Sequence, residues 1–340
     1  MSIEVLGALV LWLFLFGYIF LGAVEFGAGF YNAYGKMTGR EKLLERVIQR
    51  YLSPVWEVTN VFLVFFFVGI VGFFPDTAYY YGTTLLVPVS LALILLAVRG
   101  AYYAFATYGL NHPGFTYIYG LTGLLLPASL SIVLVISTGG FVEVGGSGPV
   151  LLYWELFTSI PGWLVVLLSL ASVLYISAVF LTWYASYAKD KEAEHLLRKY
   201  ALVSAFPAIL TGVGYLATLG WYNRDFVTEL AGYWWIFLLS FFFFLGTVYL
   251  IWKRRGYGLA VGFSALQYFF AFMGYGLAHY PYLLYPHLTL HDSFTNQAMA
   301  VSLIVAFVLG LFLLIPSLYL LLRLFLFDKE YVAGRRLNKA

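Results

Sequence analysis

Nine long apolar runs constrain this chain more than any other feature. A helix needs about 20 mostly apolar residues to cross a hydrocarbon core that is ~30 Å thick. Hydrophobic residues make up 62% of the chain and charged residues 10%, far below the ~25% charged residues of a typical soluble domain. The sequence therefore predicts an all-α polytopic membrane protein with about nine transmembrane helices. We place these spans at 3–31, 54–74, 80–105, 115–138, 155–186, 201–221, 232–252, 257–279 and 297–327.

The distribution of Lys and Arg predicts the orientation of the chain. The segments after spans 1, 5 and 7, together with the end of span 9 and the tail, hold 17 of the 19 basic residues. Of the other two, Arg99 lies within span 3 and Arg224 lies in a loop on the opposite side. Cytoplasmic loops of membrane proteins are enriched in Lys and Arg. We therefore expect a multi-pass cell-membrane protein with its N-terminus outside and its C-terminus in the cytoplasm.

Two charged loops resemble each other and indicate an internal repeat. The segment 40–50 reads as a short amphipathic helix that leads to a span beginning at Pro54, and the segment 191–199 does the same before span 6. Parallel repeats of this kind occur in membrane transporters. We expect a single membrane domain, 1–327, with a first four-helix half at 1–150 and a second at 151–282. An outer loop with the ninth helix (283–327) and a cytoplasmic tail (328–340) complete the chain.

Several kinds of site are missing from the sequence. The chain has no cysteine and five histidines, none of which we place in the middle of a span. Haem iron is usually held by His, Met, Cys or Tyr, and no pair of axial candidates stands out. No basic block suggests nucleic acid, and the motifs of P-loop, dinucleotide-binding and zinc-protease sites are absent. We expect that this chain binds no metal, no haem and no nucleic acid of its own.

Glu25 is an acid inside an otherwise apolar first span. A carboxyl group in a membrane helix costs on the order of 3 kcal/mol on insertion scales, so it should face protein or water. At ~100° per residue, Gly22 and Gly29 share its face, and small residues let a neighbouring helix come close. Gly27 is a further small residue that we expect to pack against another helix. This pattern predicts either a proton or ion relay, or an acid that is hydrogen-bonded for packing.

Two other charged residues lie in the predicted cytoplasmic half of the membrane. Glu57 opens span 2 and shares a helix face with Asn60; it reads equally as a proton relay or as an acid that favours the helix dipole. Arg99 is a natural counter-ion for Glu25 or Glu57, or its side chain snorkels to the cytoplasmic surface. We consider Glu25, Glu57, Arg99 and Asn60 the candidates for a proton path, and we expect no catalytic residue in this chain.

An ordered set of segments resembles a known family. The stretches Gly17–Gly29 and Pro54–Phe62, the region around Arg99, and the loop Tyr280–Ala298 together resemble subunit II of the cytochrome bd quinol oxidases, in the version found in Bacillus-like bacteria. Length and helix count agree, and the resemblance runs along the whole chain.

Two positions depart from the family pattern. The first helix of the family carries two acids, whereas Gly22 takes the place of the first and only the second remains, as Glu25. The family's second helix carries a His that is followed by a Trp and an acidic residue. In this chain Val55 takes the place of the His, and Glu57 is the acidic residue. The usual proton route of this subunit is therefore depleted in this chain.

The resemblance implies a membrane complex of the bacterial aerobic respiratory chain. Subunit II would form a heterodimer with subunit I, which carries haem b558, haem b595 and haem d and oxidises quinol to reduce O2 to water. A small single-helix accessory subunit is a further possible partner. In this view the chain is the non-haem subunit, which stabilises subunit I and supplies part of a cytoplasmic proton route.

Two other functions fit parts of the sequence. A secondary transporter would also have a repeated helical unit and intramembrane acids, although the acids here lie near one face of the membrane. A purely structural membrane subunit would use the same acids for packing alone.

Overall fold

The computed structural model describes residues 2–107, 113–146, 148–321 and 323. Within these, the side chains of 49–58, 103–107, 113 and 321 are not described. The predicted tail at 328–340 and the last residues of the predicted ninth span lie outside the described part.

Twelve helices and two small antiparallel sheets make up the described chain. The first six helices are α1 (Ile3–Met37), α2 (Glu41–Phe73), α3 (Pro75–Thr84), α4 (Leu86–Thr107), α5 (Pro113–Ser137) and α6 (Tyr153–Thr158). The others are α7 (Ile160–Tyr187), α8 (Lys191–Leu219), α9 (Arg224–Gly232), α10 (Trp234–Lys253), α11 (Tyr257–His279) and α12 (Gln297–Leu321). One sheet pairs β1 (Val142–Gly145) with β2 (Gly148–Leu151), and the other pairs β3 (Tyr282–Leu284) with β4 (Leu288–Thr289).

The helices are those of a multi-pass membrane protein. Within the described ranges, seven helices are long and apolar enough to cross a membrane: α1, α5, α7, α8, α10, α11 and α12. The count rises to eight when Thr59–Phe73 and α3, which meet at a bend of 117°, are taken as one broken span. The described apolar part of α4, Leu86–Tyr102, is shorter.

The predicted separation of amphipathic segment and span before Pro54 is wrong. α2 is one helix that starts at Glu41 and passes through Pro54, and α8 likewise starts at Lys191. Leu44 and Ile48 are fully buried in the central core, so packing holds the charged segment as an extension of the span. Proline is tolerated in such helices because neighbouring groups satisfy the freed carbonyl.

The predicted third span at 80–105 is also wrong at its start. Tyr80–Thr84 belong to α3, and the helix is interrupted at Leu85 before α4 begins. α3 follows Phe74, whose backbone leaves the helical conformation, and it has Pro75 in its first turn. Proline is pre-organised for this position, and it therefore starts a new helix at a sharp angle to α2.

The outer loops are hydrogen-bonded hairpins. The two hairpins contact each other where His287 Nε2 lies 3.2 Å from the carbonyl oxygen of Val142. The loop after β4 is tied to α3 by a hydrogen bond of 2.7 Å between the hydroxyls of Ser293 and Thr77. The two sheets and α3 therefore form an ordered layer at one end of the helix bundle.

The turns after α1 and α7 have the same hydrogen-bond pattern. After α1, the Arg40 amide donates to the Gly35 carbonyl, and after α7 the Asp190 amide donates to the Ala185 carbonyl. A residue with positive φ precedes each of these amides: Gly39 at 71° and Lys189 at 60°. The last turns of α1 and α7 thus close in the same way at a constant offset in sequence.

α1 lies at the centre of the bundle. It packs against α2, α5 and α7, and it also contacts α11 and α12. Every residue from Gly22 to Gly29 is buried. The segment that carries Glu25 is therefore enclosed by protein on all sides.

Candidate functional site

Glycine lets α7 approach one side of the buried segment of α1. A Cβ added to Gly27 would lie 2.4 Å from the Ser177 Cβ and 2.7 Å from the Val173 carbonyl oxygen. The Ser177 hydroxyl donates to the carbonyl of Val24 at 2.9 Å. No larger residue fits at position 27 without moving the two helices apart, so Gly27 fixes the distance between α1 and α7.

Glycines also let α5 approach the opposite side of α1. A Cβ on Gly29 would lie 2.8 Å from the Tyr119 ring, and one on Gly120 would lie 2.4 Å from the Ala33 Cβ. On the next turn of α5, a Cβ on Gly123 would lie 2.5 Å from the Phe26 carbonyl oxygen. These contacts bring α5 against the face of α1 that carries Glu25.

The acid on this face is paired with Arg99 of α4. The Arg99 Nη2 lies 3.0 Å from the Glu25 Oε1, and the two side chains are 1% and 2% exposed. Arg99 Nη1 donates to the Tyr119 carbonyl at 2.9 Å. Its guanidinium lies over the Tyr119 ring at 4.0 Å and over the Phe26 ring at 4.9 Å. Arg99 therefore joins α1, α4 and α5 through one buried charge.

Gly123 leaves the space that the guanidinium occupies. A Cβ at this position would lie 3.1 Å from the Arg99 Nη1, besides its contact with the α1 backbone. A cation buried in this way is stable only with a close counter-charge and further acceptors. Glu25 and the Tyr119 carbonyl supply these, and the aromatic faces add cation–π attraction.

Two hydroxyl-bearing residues flank the ion pair. Thr59 of α2 is 1% exposed, and its side chain lies beside the Glu25 carboxyl group. Tyr18 lies on α1 close enough to interact electrostatically with both Glu25 and Arg99. Its hydroxyl is buried and has no hydrogen-bond partner within the described part of the chain. Groups that can accept or pass a proton therefore surround the carboxylate.

The remaining predicted residues are placed as follows. Gly22 faces Thr59, whose Cγ2 would lie 3.6 Å from an added Cβ. Asn60 follows Thr59 on α2, is partly buried and makes an interaction of its own. The side chain of Glu57 lies outside the described residues. Of the two acids considered for Arg99, the structure pairs it with Glu25.

Sequence reasoning missed three residues of this site: Thr59, Tyr119 and Gly123. Tyr119 takes part through a main-chain carbonyl and a ring face, which leave no signature in a sequence. The spacing of Gly120 and Gly123 was a usable signal, because small residues three apart line one face of a helix. It would have predicted that α5 packs closely against another helix.

The described residues bring no three His, Asp or Glu side chains together in a metal-binding group. His279, at the end of α11, is 9% exposed and stacks on the Tyr275 ring, with centroids 5.5 Å apart. Glu25 is committed to Arg99. The arrangement around Glu25 is suited to holding charge and protons.

The comparisons with known proteins identify the family. The family model for cytochrome bd terminal oxidase subunit II matches residues 3–325. The chain belongs to this family. A protein of Bacillus subtilis (strain 168), assigned as subunit II of a cytochrome bd menaquinol oxidase, is 29% identical over 334 residues, which are 95% of each chain.

A solved structure agrees with the family assignment. A chain of the bd oxidase from Geobacillus thermodenitrificans is 57% identical, with a TM-score of 0.85, and the match covers 97% of this chain and all of that one. The bundle described above is thus the fold of a bd oxidase chain. Membership of the subunit II family favours an oxidase subunit over the secondary transporter that the sequence alone left open.

Proposed function

We propose that this chain is the non-haem subunit II of a cytochrome bd quinol:oxygen oxidoreductase and that its buried Glu25–Arg99 pair forms part of a cytoplasmic proton route. Family membership supports the first statement. The second rests on one observation: an ion pair of 3.0 Å at the centre of the bundle, with hydroxyl groups beside it. Intramembrane ionisable groups that face the bundle interior are commonly functional.

The route that we propose enters from α2 and ends at α1. Glu57 and Asn60 precede and follow Thr59 on α2, and Thr59 lies beside Glu25. A proton that arrives at Glu57, in the middle of α2, would pass to Thr59 and then to the Glu25 carboxylate. Arg99 would hold this carboxyl group in place between transfers, because its guanidinium donates directly to Oε1. Tyr18 offers a hydroxyl beyond Glu25.

A structural role is the second candidate, and one observation favours it. Arg99 also donates to the Tyr119 carbonyl and stacks on the Tyr119 and Phe26 rings. These contacts would lock α1, α4 and α5 together even if Glu25 never changed its protonation state. In this case the pair would stabilise the haem-bearing partner by holding the subunit rigid.

Replacement of Glu25 by Gln separates the two candidates. The amide keeps the shape and one acceptor oxygen but cannot carry a proton. If Glu25 relays protons, the variant should assemble with its haems and consume O2 more slowly per haem in a quinol-driven assay. A variant that assembles and turns over at the wild-type rate from pH 6 to pH 9 would leave only the structural role.

Nine transmembrane helices are our proposal for the topology. The spans would be α1, α2, α4, α5, α7, α8, α10, α11 and α12, with α3, α6 and α9 at the membrane surface. The bend of 117° between α2 and α3 supports this, because it turns α3 away from the direction of the span. The N-terminus would be outside and the C-terminus in the cytoplasm, as the 17 of 19 basic residues on one side suggest.

A duplicated unit is the second part of the topological proposal. The first half, 1–150, would contain α1, α2, α4 and α5, and the second, 151–282, would contain α7, α8, α10 and α11. The identical turns after α1 and α7 support it. So do the contacts, because α1 packs on α2 and α5 as α7 packs on α8 and α11. Residues 283–327 would add an outer loop and the ninth span.

The partner in this proposal is the haem-bearing subunit I. It would carry haem b558, haem b595 and haem d and the sites for quinol and O2, with a small single-helix accessory subunit as a further partner. Subunit II purified without it should show no haem absorbance. A stoichiometric haem spectrum from this chain alone would contradict the proposal.

A further inference from the structure

A polar cleft lies at one end of the second half of the bundle. It has a volume of about 490 Å³ and opens between the end of α7, the start of α8 and the turn from α10 to α11. An adjoining cleft of about 190 Å³ shares Glu194 and Arg254 with it. The larger volume falls within the ~300–1,000 Å³ of typical small-molecule sites. Nothing in the proposed proton route uses this space.

The lining of the two clefts is positively charged. Lys191, Arg198 and Arg254 contribute three cations against one acid, Glu194. The Glu194 Oε1 accepts a hydrogen bond of 2.8 Å from the Tyr257 hydroxyl. The net charge of these four side chains is therefore positive, which suits an anion.

Arg198 contacts the end of α10 at this site. Its Nη1 lies 3.4 Å from the carbonyl oxygens of Ile251 and Trp252, at the end of α10. Its Nε is buried and has no hydrogen-bond partner within the described chain. The contacts with the end of α10 therefore hold the Arg198 guanidinium at the wall of the adjoining cleft.

The cleft lies beside an exposed apolar surface. Trp252 and Leu259, which flank the turn from α10 to α11, are 62% and 55% exposed. The Lys253 Nζ lies 5.0 Å from the centre of the Trp252 ring. Trp183 and Tyr257 line the cleft itself. Aromatic and basic side chains concentrate at the level of lipid headgroups, and the topology proposed above places the cleft at that level.

We propose that this cleft binds the phosphate headgroup of an anionic phospholipid. Arg198 and Arg254 would hold the phosphate, and the exposed apolar surface around Leu259 would accept the acyl chains. Basic pockets between transmembrane helices bind anionic headgroups in this way. By the predicted topology, the lipid belongs to the cytoplasmic leaflet.

Lipid retention by the assembled oxidase tests the proposal. The complex would be purified in detergent, exchanged into nanodiscs of phosphatidylglycerol or phosphatidylcholine, released, and analysed by native mass spectrometry for bound lipid. We expect wild type to retain phosphatidylglycerol, and the double variant Arg198→Gln/Arg254→Gln to bind it about 25-fold more weakly, from about fivefold for each basic residue. Lys199→Gln is the matched control: it removes one exposed charge from the same helix outside the clefts.

Further arms of the experiment distinguish other outcomes. Haem content per complex shows whether each variant assembles. If the double variant does not assemble, the single variant Arg254→Gln, which leaves α8 unchanged, takes its place in the lipid-binding measurement. Equal retention of both lipids, or equal loss in Lys199→Gln, would overturn the proposal. Addition of inorganic phosphate should not displace the lipid; displacement at millimolar phosphate would assign the site to a free anion instead.

Discussion

Removal of the charge on Arg99 should destabilise the subunit strongly unless the charge on Glu25 is removed as well. The two groups lie 3.0 Å apart and are 1% and 2% exposed. Breaking a buried ion pair by removing one partner costs about 3–5 kcal/mol, because the other charge is left buried and unpaired. Arg99→Met should fall in this range, since methionine fills the space of the side-chain stem but leaves the carboxylate alone.

Glu25→Gln should cost less, about 2–3 kcal/mol, because the amide oxygen still accepts from the guanidinium but without its charge. The double variant Glu25→Gln/Arg99→Met contains neither charge. It should lose only the hydrogen bonds and the ring stacking of Arg99, about 2–3 kcal/mol. The sum of the single effects should therefore exceed the double effect by about 4 kcal/mol, which is the coupling energy of the pair.

The assay is unfolding of the assembled complex in detergent, followed by both tryptophan fluorescence and haem absorbance at one protein concentration. The two probes show whether the subunit unfolds together with its partner. Strictly additive effects of the two substitutions would refute the reasoning, because they would mean that the charges do not depend on each other. A single Arg99→Met variant as stable as wild type would refute it more directly.

Three further predictions concern the packing of α5 on α1, the order of the proton route and the topology. Gly123→Ala should weaken assembly, because the new Cβ would lie 2.5 Å from the Phe26 carbonyl oxygen. Gly82→Ala is the control and should be neutral or slightly stabilising, because no atom lies within 4 Å of the new Cβ. The haem content of the two purified complexes measures the difference in assembly. Glu57→Gln should slow quinol-driven O2 uptake per haem less than Glu25→Gln, and an equal or larger effect would contradict the order of the route. A C-terminal tag should be inaccessible from outside intact cells and become accessible after lysis; labelling of intact cells would reverse the topology.

Most of the helical fold was readable from the sequence, because long apolar runs in a membrane protein have few alternatives. The departures all come from packing that a sequence does not display. Pro54 reads as the start of a helix, but burial of Leu44 and Ile48 extends α2 past it. The break at Leu85 was missed because the last residues of α3, Tyr80–Thr84, carry no charge that would separate them from the apolar run of α4.

The candidate site was readable only in part. Glu25 and Arg99 could be predicted because a charged residue in an apolar helix is costly and usually has a partner or a function. Their contact depends on how α1, α4 and α5 meet, and sequence spacing within one helix does not determine this. The role of Tyr119 could not be predicted from the sequence, because every residue has a carbonyl oxygen.

The matching turns after α1 and α7 have an evolutionary consequence if the halves are duplicated. The turns set the register, and in that register Tyr175, 1% exposed, occupies in α7 the place that Glu25 occupies in α1. An ancestor made of two identical chains would have placed the same residue at both positions. Fusion into one gene frees the two copies to diverge, so that a single charged residue can be kept on one side of the molecule while its twin becomes an uncharged ring.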